Sequence, residues 1–149
     1  MSNVNNRLYH ILLVEDNPGD VRLTQEAFSE SKRQIDLEVV NDGIEAVKFL
    51  RKEGPYAQKP TPDLVLMDLN LPKWDGREVL RIIKNDGQLK RIPVVILTTS
   101  SAPRDVQNSY DLHANSFIKK PVDFDQFFEV IQKIEDFWLT TTLLPTNAM

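Results

Sequence analysis

Residues 63–76 read DLVLMDLNLPKWDG. Leu64 to Met67 is an unbroken apolar run, with no polar residue alternating through it. A strand covered on both faces has this character, as strands of a parallel sheet do. The run stops on a single carboxylate, Asp68. Pro72 and Gly76 then mark a turn, and Asp75 with Glu78 three residues on reads as a capping box. It opens a helix through Val79, Leu80 and Ile83.

The same strand-then-helix unit recurs on both sides. Leu8 to Val14 is an apolar strand ending in Glu15-Asp16. Asn17-Pro18 is an N-cap with proline at the first helical position, and Val21, Thr24, Ala27 and Phe28 follow at helical spacing. Ile35 to Val40 is a second strand. Asp42 and Glu45 form a second capping box, with Ala46, Val47 and Leu50 facing inward. Gly54, Pro55, Pro60 and Pro62 make 52–62 a loop. Downstream come a strand at Pro93 to Leu97, a helix over about 103–112, a short strand at Ser116 to Ile118 and a last helix over about 123–139. Strands and helices in strict alternation predict an α/β domain: a five-stranded parallel sheet with helices on both faces. The predicted division is a flexible N-terminus over 1–7, one domain over 8–139 and a tail over 140–149.

Composition narrows the function. The net charge of −4 gives none of the cationic excess that displaces counterions from nucleic acid. There is no cysteine, so disulfides, thiolate metal sites and thiol catalysis are excluded. No basic, apolar leader begins the chain, and apolar runs break within about ten residues, too short to span a bilayer. A cytoplasmic protein working away from membranes is expected.

The chemistry gathers at the strand ends. The first ends in Glu15-Asp16, the third in Asp68, the fourth in Thr98-Thr99-Ser100 and the fifth in Lys119-Lys120-Pro121. In open α/β sheets ligands bind outside the carboxyl ends of the strands, where strand order reverses. Singly, each residue has an ordinary reading: an Asp caps a helix, a Thr favours a strand, a Lys before Pro lies on the surface. Together they are complementary. Clustered carboxylates repel unless a cation joins them. Mg²⁺ suits them, because it takes oxygen ligands and accepts phosphate oxygens. Asp68 can attack a phosphoryl group, Lys120 can meet a phosphoryl oxygen with a point charge, and the Thr98 hydroxyl can donate to one.

At this point the chain resembles the receiver domains of two-component signalling. The motifs are ILLVEDN, DLVLMDLNLPKWDG, IPVVILTTS and SFIKKP, spread from about Leu8 to Leu139. The resemblance implies a flavodoxin-like topology with strand order 2-1-3-4-5 and assigns roles to residues. Asp68 matches the phosphoacceptor, and Asp16 the principal acidic Mg²⁺ ligand, with Glu15 beside it. Asn70 matches the position whose backbone carbonyl completes the metal shell. Thr98 matches the switch hydroxyl, Phe117 the aromatic that turns inward with it and Lys120 the conserved lysine. Pro121 matches a proline whose preceding peptide bond is often cis. Three positions depart from the pattern: Glu15 where many receivers have Asp, Thr99 where a small residue is common, and His113 where Gly is frequent. Within the family, the Pro-containing loop before the third strand, with DLNLP, DGREVL, LKRIPVV and the FWL…LP ending, looks like the small regulators that partner cyanobacterial phytochromes. That implies a phytochrome-like histidine kinase as phosphoryl donor, and output by protein contact.

The last helix carries more apolar surface than one core contact needs. Phe127, Ile131, Ile134 and Trp138 form the core stripe, and Phe124 and Phe128 widen it. Val130 and Phe137 fall on another side. The surplus is covered either by Leu143, Leu144 and Pro145 folding back or by a partner. A homodimer through the face of the fourth helix, fifth strand and fifth helix is expected. Of the rival readings, a haloacid-dehalogenase-like phosphatase usually has a second Asp two residues after its nucleophile, and here that position is Asn70. An unphosphorylated interaction module keeps no need for so complete a set of groups. A flavodoxin-like cofactor binder is at odds with the acidic EDNPGD loop.

Overall fold

Parallel pairing carries every strand's carboxyl end to one edge of the sheet, and the order of pairing decides where that edge opens. In the computed structural model, which describes residues 7–99, 114, 116–121 and 123–141, the strands are β1 (Leu8–Val14), β2 (Gln34–Val40), β3 (Leu64–Met67), β4 (Val94–Thr98) and β5 (Ser116–Lys119). They lie in the order β2-β1-β3-β4-β5, all parallel. The order reverses between β1 and β3, so the crevice lies between the ends of those two strands. The described helices are α1 (Pro18–Ser29), α2 (Gly43–Leu50), α3 (Gly76–Asn85) and α4 (Phe124–Asp136). The helix expected over about 103–112, His113 and the tail residues Leu143 to Pro145 lie outside the described residues.

Strand alternation sorts the core into two layers. Leu12, Val14, Val65, Met67, Val94 and Ile96 face α2 and α3. Ile11, Leu13, Leu64, Leu66, Val95 and Leu97 face α1 and α4. Every residue of β3 and β4 is buried, as a strand covered on both faces requires.

The helix starts follow the capping logic with one difference. Asn17, Asp42, Asp75 and Asp123 each accept backbone N–H groups of the first turn. The capping boxes are not reciprocal, however. Glu45 takes the Tyr56 hydroxyl at 2.6 Å, and Glu78 pairs with Arg81. Both glutamates are taken by another side chain instead of the N-cap amide. α2 ends in a Schellman arrangement, with Lys52 N–H on Phe49 O at 3.1 Å and Glu53 N–H on Lys48 O at 2.9 Å. Lys52 occupies the left-handed position there at φ 57°, where glycine is usual.

On α4 the stripe of Phe127, Ile131, Ile134 and Trp138 is buried. Phe128 and Val130 are half-buried against the same layer. Phe124, expected to widen that core contact, is 56% exposed. It has the spacing of the stripe but stands at the first residue of the helix. The helix ends in a π turn over Phe137–Thr141, where Phe137 stays exposed and packs edge-on against Trp138.

Candidate functional site

Three ladder bonds carry the sheet one residue past its strands. Glu15 N–H reaches Val40 O at 3.0 Å, Asp68 N–H reaches Val14 O at 3.2 Å and Lys120 N–H reaches Thr98 O at 2.7 Å. The backbones that bear the key side chains are therefore held by the sheet rather than by loops. This is a direct consequence of strands that end where the polar residues begin.

Lys120 is buried and central. Its ammonium donates to Glu15 Oε1 at 2.5 Å, Asp20 Oδ2 at 2.7 Å and Asp68 Oδ2 at 2.9 Å. The remaining oxygens of the strand-end carboxylates are also used. Glu15 Oε2 accepts Asn17 N–H at 3.2 Å, and Asp68 Oδ1 accepts Asn70 N–H at 3.1 Å. Burial pushes the Glu15 carboxyl above the usual carboxylate range, against the opposing pull of Lys120. Burial alone lowers a lysine, but the hydrogen bonds it donates to Asp20, Glu15 and Asp68 hold the Lys120 ammonium above its ordinary value. It stays charged.

The remaining sequence-predicted residues take these places. Thr98 is wholly buried at the end of β4. Phe117 is half-buried on β5 against the layer that holds α2 and α3. Asn70 is exposed in the loop after β3, and Asp16 is exposed beyond Glu15 and is not among the three partners of the lysine. The peptide bond before Pro121 is trans, not the cis form the resemblance suggested. For an X-Pro bond trans is favoured by about 0.5–1 kcal/mol unless the surroundings demand otherwise. His10 is half-buried on β1, next to Asp36 at 3.2 Å and away from the site. Trp74 is partly exposed on the loop after Asp68.

One member of the site escaped sequence reading. Asp20 lies in the first turn of α1 and looks like an ordinary acidic residue at a helix N-terminus. The available signal was positional: a helix that starts at the end of β1 must lay its first turn over the crevice.

The loop after Asp68 is held by close packing. A Cβ on Gly76 would lie 2.4 Å from Asp68 O and 2.7 Å from Leu69 Cα. Gly76 N–H also bonds Leu69 O at 2.8 Å. Glycine here is a matter of space, letting α3 start against the backbone that carries Asp68.

Three carboxylates around one ammonium leave the cluster negative by two charges. Its donors are all hard oxygens, and a cation, the ammonium, already sits among them. The donor set thus fits a hard divalent ion. Among the described residues no three His, Cys, Asp or Glu side chains are gathered into a group that could hold a metal ion.

The family model of the response regulator receiver domain matches residues 11–132. The chain belongs to that family. The receiver is 48% identical over 145 residues to the response regulator Rcp1 of Synechocystis sp., covering 97% of this chain and 99% of Rcp1. It is 41% identical over 139 residues to the probable methanogenesis regulatory protein FilR2 of Methanothrix harundinacea, covering 93% and 88% of the two chains. Among solved structures, the phosphorylated cyanobacterial phytochrome response regulator RcpA superposes with a TM-score of 0.91 at 52% identity, over 93% of this receiver and 99% of RcpA. The Mn²⁺-bound form of Rcp1 superposes at 0.89 with 49% identity, over 92% and 99%. The protein is a response regulator of the receiver type, similar to phytochrome response regulators.

Proposed function

We propose that this receiver takes a phosphoryl group on Asp68 from the phosphohistidine of a phytochrome-type histidine kinase, and signals by changing its protein contacts. The observation that carries this reading is the buried Lys120 ammonium lying on Asp68 and Glu15 at the crevice between β1 and β3. A carboxylate oxygen of Asp68 forms the new bond to phosphorus, the phosphorus–nitrogen bond breaks, and the departing imidazole takes a proton. Glu15, Asp16, Asp68 and the backbone carbonyl of Asn70 would hold Mg²⁺, which would neutralise the phosphoryl oxygens. Lys120 and the Thr98 hydroxyl follow those oxygens, and Phe117 turns inward as Thr98 moves. Similarity to RcpA, a phosphorylated phytochrome response regulator, and to Rcp1 in a Mn²⁺-bound form supports the donor and the metal dependence.

Asn70 in place of a second acid after Asp68 favours an acceptor that turns over only its own phosphoryl group, not a phosphatase of other substrates. Among the described residues no helix is long and apolar enough to cross a membrane. The test is intact mass after incubation with acetyl phosphate. One phosphoryl group should be added with Mg²⁺ present, and none without it or in Asp68→Asn. Addition in the Asp68→Asn protein would refute the assignment.

Association as a homodimer belongs to the same reading. A groove of about 370 Å³ on the face of β5 and α4 is lined by Ile118, Val130, Ile134, Phe137 and Trp138, and Phe137 at its rim is 52% exposed. Sedimentation should show a dimer in the wild type and a monomer in Phe137→Glu. A wild type that stays monomeric at micromolar concentration, with and without a phosphoryl mimic, argues against the dimer.

A further inference from the structure

An ammonium has three N–H donors, and Lys120 spends all three on carboxylates. Two of the three, Glu15 and Asp68, are the groups a divalent cation takes if the reading above holds, and the inference rests on that reading. The cation and the ammonium therefore compete for the same oxygens. Lys120 is only 4% exposed, so a displaced ammonium has no ready access to water. A buried ammonium stripped of its partners is costly.

Asp20 differs from the other two. It stands on α1, off the strand ends. Its N–H is fixed by Asn17 Oδ1 at 3.1 Å, and its carbonyl accepts the buried Thr24 hydroxyl at 2.8 Å. The helix thus presents this carboxylate from a rigid mount. Benefit from the helix dipole would explain an acid in this turn, but not a side chain aimed at the lysine at 2.7 Å.

We propose that Asp20 is a positioning residue, a holding site that keeps the Lys120 ammonium paired while a divalent cation takes over Glu15 and Asp68. Metal entry then costs the lysine two of its partners without leaving it bare. The ammonium also remains beside the crevice, within reach of a phosphoryl group arriving on Asp68.

The test is Mg²⁺ binding to the full chain without phosphoryl donor, by calorimetry at fixed ionic strength. Proteins compared are the wild type, Asp20→Asn, Asp20→Glu, Lys120→Met and the double variant Asp20→Asn/Lys120→Met. Asp20→Asn should weaken Mg²⁺ by about ten-fold, the scale of one hydrogen bond to a charged group. Asp20→Glu, which keeps the carboxylate, should recover most of that loss. Lys120→Met should tighten Mg²⁺, since the competitor is gone, and there the Asp20→Asn loss should shrink to about two-fold because the charge-assisted bond no longer exists. Equal losses in both backgrounds would mean that Asp20 attracts the ion directly, and would overturn the proposal. So would unchanged affinity in Asp20→Asn alone. Wild-type protein that binds no Mg²⁺, or binds it equally well after Asp68→Asn and Glu15→Gln, would instead sink the site reading itself, and the inference with it.

Discussion

Gly76→Ala should unfold more easily and accept phosphoryl more slowly, and the structure sets the size of both effects. The added Cβ would lie 2.4 Å from Asp68 O and 2.7 Å from Leu69 Cα. Both are backbone atoms, so no rotamer change relieves the clash. Restoring an ordinary contact needs α3 to retreat by about 1 Å, and that strains the Gly76 N–H bond to Leu69 O; overpacking of this kind costs about 1–3 kcal/mol. Removing glycine's freedom in the unfolded chain returns about 0.4–1 kcal/mol. The net expectation is a loss of about 1.3 kcal/mol. Gly87→Ala is the control: a Cβ there meets nothing within 4 Å, and its backbone is not in the left-handed region. It should gain about 0.5 kcal/mol. With a urea slope of about 2 kcal/mol per molar, the two midpoints should differ by about 0.9 M. Trp74 and Trp138 provide the fluorescence signal. Phosphoryl uptake from acetyl phosphate should slow by about 100-fold in Gly76→Ala, the usual penalty for a 1 Å misplacement. A Gly76→Ala midpoint at or above that of Gly87→Ala would refute the claim that glycine is required there for space.

Lys52→Gly should stabilise the domain by about 1 kcal/mol, because an L-residue in the left-handed conformation is strained by about that amount; a lower urea midpoint would contradict this. Arg33→Ala should cost about 3–5 kcal/mol, since it leaves the buried Glu135 carboxylate with only the Ser31 hydroxyl. Arg22→Ala, which breaks an exposed i,i+4 pair with Glu26, should change stability by no more than about 0.5 kcal/mol in urea unfolding. The Tyr56 phenol, held up by its hydrogen bond to Glu45, has a pKa raised from 10.0 to about 12. The fold therefore holds this proton more tightly than the unfolded chain does. The advantage of wild type over Tyr56→Phe should be constant below pH 10.0 and fall away as pH rises toward about 12. An advantage that stays flat across that range would remove the Glu45 bond as its cause.

The strand ends were legible because burial on both faces leaves a plain trace. β3 is wholly apolar from Leu64 to Met67, so its end at Asp68 is sharp, and parallel pairing then brings that end beside Glu15 and Lys120. What stayed hidden depends on how helices sit against the sheet. Phe124 carries the spacing of the core stripe, yet it is the first residue of α4 and stays in solvent. Glu135 looks like a surface acid near a helix end, and only the packing of α4 on α1 brings Arg33 and Ser31 to it across more than a hundred residues. Asp20 is the same kind of case at the site. Spacing along one helix says which residues share a face, but a side chain that reaches a lysine a hundred positions away is placed by two elements at once. Asp68 and Lys120 are marked by the strands they terminate. The residue that decides how the lysine gives way to a metal ion is marked only by where α1 starts, and that is why it had to be seen in three dimensions.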